Sequence, residues 1–159
     1  MRQCFAFLRE PDGGESGDVR KFDGFAARPC RRGTPVNALV VEDDTDDQLL
    51  VQAVFYPDSR FVLADVAHSA EQALERAQTI PPEVIVLDHG LTGALLGLDA
   101  APRLKELAPQ AKIILFTAHA ELQARAEAEP AIDAFLLKTE AMRLLALAQQ
   151  LTGLGPSAN

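Results

Sequence analysis

Four short apolar runs in this sequence end on residues able to handle phosphoryl oxygens and a hard cation. Leu39-Val40-Val41 runs into Glu42-Asp43, and Val84-Ile85-Val86-Leu87 runs into Asp88. Ile113-Ile114-Leu115-Phe116 ends at Thr117, and Ala134-Phe135-Leu136-Leu137 ends at Lys138. Clustered carboxylates suit Mg²⁺, which takes few protein ligands and keeps several waters. Beside such an ion, an ammonium can balance one phosphoryl oxygen and a hydroxyl can hydrogen-bond another. Phosphoryl transfer needs that positioning and charge neutralisation more than covalent help. Each residue alone has a plainer reading. Asp88 and the nearby Gly90 can simply end a strand, Asp43 can cap a helix, Lys138 can start one, and Thr117 is a good strand former. What joins them is where they fall.

Each run is short, apolar and closed by turn or polar residues, the pattern of a strand buried on both faces. Phe61–Ala64 is a further strand of this kind. Helical spacing fills the intervals. Leu49, Leu50, Ala53 and Val54 follow the first strand. Ser69 with Gln72 three residues on forms a capping-box pair before Ala70, Ala73, Leu74 and Ala77. Leu98, Ala101, Leu104 and Leu107 come before Pro109, and Leu122 and Ala126 lie within Glu121–Glu129. Leu144, Leu147, Ala148 and Leu151 precede Gly153. A strand-helix pair repeated five times implies an α/β fold. The expected architecture is a doubly wound, five-stranded parallel sheet, flavodoxin-like in order 2-1-3-4-5, with helices on both faces. All the polar strand ends then share one edge, and the switch between strands one and three puts Asp43 and Asp88 beside a crevice. Asp46 and Asp47 read as first-turn acids that cap and complement the helix dipole.

The polar sites sit in a strongly acidic body. Formal net charge is −8, yet residues 1–37 hold seven Lys and Arg against five acids, so the rest is more acidic still. That balance argues against a nucleic-acid surface. Residues 1–36 read as a disordered leader with Phe5, Phe7, Leu8, Phe22 and Phe25 as its only anchors. Residues 37–153 read as the folded domain and 154–159 as a short tail. Cys4 and Cys30 form no ligand cluster, which leaves the cytoplasm as the expected location. No apolar run approaches the roughly 18 residues a membrane span needs. Met142 and Leu145 add apolar residues to the last helix. They read equally as a face for a protein partner or a second copy of the chain, and as a better-buried helix.

The motifs Leu39-Val40-Val41-Glu42-Asp43-Asp44, Val84-Ile85-Val86-Leu87-Asp88, Leu115-Phe116-Thr117-Ala118 and Phe135-Leu136-Leu137-Lys138 resemble the receiver domain of bacterial two-component response regulators. The resemblance runs from about Asn37 to Leu151. It implies that Asp88 is the phosphoacceptor for a histidine kinase or phosphotransfer protein. Asp43 would ligate Mg²⁺ with Asp88, Glu42 mostly through water, and the Gly90 carbonyl as a third ligand. Lys138 and Thr117 would contact the phosphoryl group, and Thr117 would let Phe135 rotate inward. That rotation would alter the face made by helix four, strand five and helix five, where a downstream protein would dock. The Asp46-Asp47 pair resembles receivers that stand alone.

Three departures bear on loop shape and on the reach of Lys138. Thr92 stands where these domains usually carry proline, Gly97 comes one residue later than usual, and Thr139 replaces the proline after the lysine. They keep open a receiver-like binding module that works without phosphorylation. A haloacid-dehalogenase-like phosphatase would need a second Asp where Gly90 stands. His89 and His119, close to Asp88 and Thr117 in sequence, are candidates for positioning a hydrolytic water.

Overall fold

A computed structural model describes residues 34–156. The expectations for the leader's phenylalanines, Cys4 and Cys30 lie outside the described residues. The strands are β1 Val36–Val41, β2 Phe61–Ala67, β3 Val84–Leu87, β4 Lys112–Thr117 and β5 Ala134–Leu137. The helices are α1 Thr45–Phe55, α2 Ala70–Thr79, α3 Gly97–Leu107, α4 Gln123–Ala128 and α5 Leu144–Thr152. Short 3₁₀ turns at Ala120–Leu122 and Lys138–Arg143 lead into α4 and α5. The sheet is wholly parallel in the order β2-β1-β3-β4-β5, as the sequence implied.

Strand side chains alternate between faces, and the core divides accordingly. Leu39, Val41, Ile85, Leu87, Ile113 and Leu115 pack under α2, α3 and α4. Ala38, Val40, Val84, Val86, Ile114 and Phe116 pack under Val51 and Phe55 of α1 and Leu144 and Ala148 of α5. The small residues Ala70, Ala73 and Ala77 give α2 a smooth, fully buried inner side. In register, Val41 pairs with Leu87, Leu87 with Leu115, and Thr117 with Leu137. The next residues, Glu42, Asp88 and Lys138, therefore emerge together at one edge.

Local chemistry explains where elements begin and end. Ser69 Oγ accepts the Gln72 N–H at 3.2 Å. The Gln72 side chain reaches one residue further back than a capping box requires, accepting the His68 N–H at 2.9 Å. Gly153 closes α5 at φ 73°, and its N–H meets the Gln149 and Gln150 carbonyls. β2 runs three residues beyond the expected Ala64. A register shift between Ala38 and Leu39 passes over Ala64 and pairs Leu39 with Asp65. Asp65 is tolerated on this edge strand because Arg76 of α2 meets it at 2.6 Å. On α1, Leu50 and Val54 pack partly against the core. Gln48, Val51 and Phe55 are buried, whereas Leu49 is 57% exposed. Gln48 is held inside by bonds from its amide to the Glu42 carbonyl at 2.7 Å and to His68 Nδ1 at 2.9 Å. Of the two extra apolar residues before and within α5, Leu145 packs partly on the core and Met142 is 85% exposed. Among the described residues, no helix is long and apolar enough to cross a membrane.

Candidate functional site

β1 and β3 deliver two carboxylates to the crevice. The Glu42 N–H donates to the Ala67 carbonyl at 2.9 Å and the Asp88 N–H to the Val41 carbonyl at 2.9 Å, so each backbone continues the ladder one residue past its strand. Both side chains end up almost out of water, at 2% and 7% residue exposure. Asp43 is half-buried next to them. One carboxylate oxygen from each of Glu42, Asp43 and Asp88 lies within 4.8 Å of the others. From β5, Lys138 Nζ reaches Glu42 Oε2 at 2.7 Å, Asp88 Oδ2 at 3.2 Å and Asp47 Oδ2 at 2.6 Å.

Three carboxylates thus face one ammonium, with Asp43 beside them. Burial pushes the Glu42 carboxyl up; the Lys138 bond and the Asp44 N–H pull the other way, while the Asp88 charge adds to the rise. Burial alone would lower the Lys138 ammonium, but its bonds to Asp47 and Glu42 and the Asp88 charge hold it well above the usual lysine range. These contacts favour the ammonium form of Lys138.

The loop after β3 is fitted tightly to Asp88. The Gly97 N–H donates to the His89 carbonyl at 3.2 Å. A Cβ on Gly97 would lie 1.8 Å from the Asp88 carbonyl oxygen, so only glycine allows α3 to start there. Gly93, at φ 126°, supplies the loop's left-handed turn. Gly90 sits beside the Asp88 carboxylate, since a Cβ there would be 3.6 Å from Asp88 Oδ2 and 4.0 Å from His119 Nε2. Thr92 ties the loop to the other side of the crevice. Its N–H donates to Asp43 Oδ2 at 3.2 Å and its hydroxyl to the His68 carbonyl at 3.4 Å. The first of these bonds could not be made by proline.

Thr117, fully buried at the end of β4, accepts the His119 N–H on its hydroxyl at 3.3 Å. By strand alternation it shares a sheet face with Leu115, which pairs with Phe135. Phe135 is half-buried against the core on the α2–α3–α4 side. His89 and His119 meet edge to face at 6.1 Å between ring centres, and His119 Nδ1 contacts Glu121 at 2.9 Å. Burial, with the neighbouring His119 adding to it, pushes the His89 imidazole down.

One sequence reading needs correction. Asp46 and Asp47 do occupy the first turn of α1, but the capping carboxylate is Asp44, whose Oδ1 accepts the Asp46 and Asp47 N–H groups at 2.8 and 3.2 Å. With the cap supplied by Asp44, the Asp47 side chain turns to Lys138 instead. The available signal was geometric, because the first turn of α1 leaves directly from the strand end that carries Glu42 and Asp43.

Three carboxylate oxygens drawn together, two of them on nearly buried residues, make an all-oxygen donor set that suits a hard divalent cation. The response regulator receiver domain pattern matches residues 38–149. No curated protein matches the chain. Among solved structures, the response regulator domain of Thermotoga maritima CheB aligns at TM-score 0.65 and 18% identity, covering 77% of this chain and 99% of that one. The response regulatory domain of Klebsiella pneumoniae mrkE aligns at TM-score 0.66 and 21% identity, covering 74% and 96%. A BeF3-activated DrrB receiver domain aligns at TM-score 0.63 and 21% identity, covering 76% and 99%. With the sheet order and the family pattern in agreement, the chain belongs to the response regulator receiver domain family.

Proposed function

We propose that this chain is a stand-alone receiver that accepts a phosphoryl group on Asp88 from a histidine kinase or phosphotransfer protein, and signals by docking a protein partner. The observation that carries this reading is the convergence of Asp88 with Glu42, Asp43 and Lys138 at one sheet edge. In the transfer, an Asp88 carboxylate oxygen attacks the phosphorus of a phosphohistidine. A P–O bond forms as the P–N bond breaks, and the imidazole leaves with the electron pair and takes a proton from solvent. Hydrolysis returns the carboxylate, with water attacking phosphorus and inorganic phosphate released. Mg²⁺, held by Asp43, Asp88, the Gly90 carbonyl and, through water, Glu42, would neutralise phosphoryl charge.

The chain's own groups do the rest. Lys138 contacts a phosphoryl oxygen, and Thr117 donates its hydroxyl to another, exchanging its present role as acceptor from His119. That movement opens room for Phe135 to turn inward. The surface that changes lies over α4, β5 and α5, where a groove of about 410 Å³ is lined by residues including Gln123, Phe135, Leu137, Arg143 and Leu147. A downstream protein, or a second copy of this chain, docks there. The acidic body supports a protein partner over nucleic acid, and a cytoplasmic setting supplies the kinase.

Acetyl phosphate with Mg²⁺ tests the phosphoacceptor. On Phos-tag electrophoresis the wild-type chain is expected to shift, with intact mass reporting one added phosphoryl group, and Asp88→Asn is expected to stay unshifted. A wild-type chain that remains unshifted with acetyl phosphate and with several kinases overturns the reading in favour of a phosphorylation-independent binding module.

A further inference from the structure

We propose that Asp47 is a positioning residue, acting through Lys138, that competes with an incoming phosphoryl group for the ammonium. This rests on the phosphoacceptor reading of Asp88.

Lys138 Nζ lies closer to Asp47, at 2.6 Å, than to Asp88, at 3.2 Å. Asp47 also stands outside the Glu42, Asp43 and Asp88 group whose oxygens could share a cation. A divalent cation on that group draws charge from two of the three partners of Lys138 and leaves Asp47 as its main counter-charge. Side-chain exposure is 16% for Lys138 and 31% for Asp47, so the pair is shielded without being sealed. A charge-assisted bond in that setting is strong enough to hold the ammonium and weak enough to be exchanged. The partners also differ in freedom. Glu42 is almost buried and its carboxylate accepts the Asp44 N–H at 3.1 Å, whereas the Asp47 side chain, in the first turn of α1, is 31% exposed. Lys138 therefore reaches a phosphoryl oxygen on Asp88 by giving up Asp47. When the phosphoryl group leaves, Asp47 takes the ammonium back. Asp47 also places a like charge beside the incoming dianion, which adds to the opposition.

Removing the Asp47 charge should therefore act in opposite directions on two ligands. Mg²⁺ loses one nearby negative charge and meets a Lys138 that leans more on Glu42 and Asp88, so its affinity falls. A phosphoryl mimic gains a freed ammonium and loses a repulsion, so its affinity rises. The experiment titrates the full chain with Mg²⁺ alone, and with beryllofluoride at saturating Mg²⁺, by calorimetry and ¹⁹F NMR. Asp47→Asn is expected to bind beryllofluoride about two- to fivefold more tightly, the size of a partly shielded charge contact, and Mg²⁺ more weakly. Asp47→Glu, which restores the charge, is expected to stay near wild type. Unchanged or weaker beryllofluoride binding by Asp47→Asn overturns the proposal, including weakening of both ligands, which marks a merely structural role. A wild-type chain that binds no beryllofluoride with Mg²⁺ overturns the phosphoacceptor reading itself.

Discussion

Asp88 is set in place largely by backbone. Its N–H is taken by Val41, its Oδ1 accepts the His89 N–H at 2.7 Å, and its carbonyl is covered by Gly97. The contact with Gly97 leaves no space for even one methyl group. Gly97→Ala is expected to cost about 2–3 kcal/mol of stability, as overpacking against rigid backbone does. It should also slow phosphorylation of whatever protein remains folded. Urea unfolding together with Phos-tag electrophoresis checks both effects, and a variant with wild-type stability would show that α3 can shift freely. At this scale Glu42, Asp43, Asp88, Thr117 and Lys138 were legible because each ends a recognisable strand. Asp47 was not. A first-turn acid has a sufficient local explanation, and its partner Lys138 lies 91 residues away in sequence.

The elements that carry these residues are joined at the opposite edge of the sheet by Asp133, just before β5. Its carboxylate receives Lys105 Nζ of α3 at 2.7 Å, Lys112 Nζ at 3.0 Å and the Ile113 N–H of β4 at 3.0 Å. Burial alone would raise this carboxyl, but those three donors outweigh it and hold it below the usual carboxylate range. The folded chain thus keeps Asp133 ionised to lower pH than the unfolded chain does. Its contribution is complete above the ordinary carboxylate pKa and is lost as pH falls through the lower folded value. Asp133→Asn is expected to cost about 1–2 kcal/mol at pH 7, with the cost shrinking as pH is taken down past the carboxylate range. Urea unfolding at neutral and acid pH measures this, and an equal cost at both would contradict it. The strands themselves were readable because four of them are nearly uninterrupted apolar runs. β2 was read short because Asp65 breaks the pattern, although an edge strand paired to Arg76 accepts it. Helical spacing was enough to place α1, but not to show that Gln48 is drawn inward by the Glu42 carbonyl, a contact that hydropathy does not register.

For the molecule as a whole, the crevice concentrates negative charge in a chain already at −8. Such a site sacrifices resting stability for affinity. A divalent cation that binds only the folded state stabilises it by about 1.4 kcal/mol at ten times its Kd. Asp43→Asn keeps an acceptor for the Thr92 N–H while removing one charge. It is expected to raise stability by about 0.5–1 kcal/mol in EDTA and to lose most of the Mg²⁺-dependent gain. Thermal unfolding with and without Mg²⁺ reads both, and a variant less stable in EDTA would count against charge crowding. The parallel α/β class was legible because it follows from alternation, whereas the fit of the crevice loop depends on contacts between residues far apart in the chain. The bond from Thr92 to Asp43 is one of these. Receivers with proline at that position have no amide signal there. This chain carries a backbone reporter wired directly to one carboxylate of the crevice, so the Thr92 proton resonance offers a label-free gauge of what Asp43 is holding.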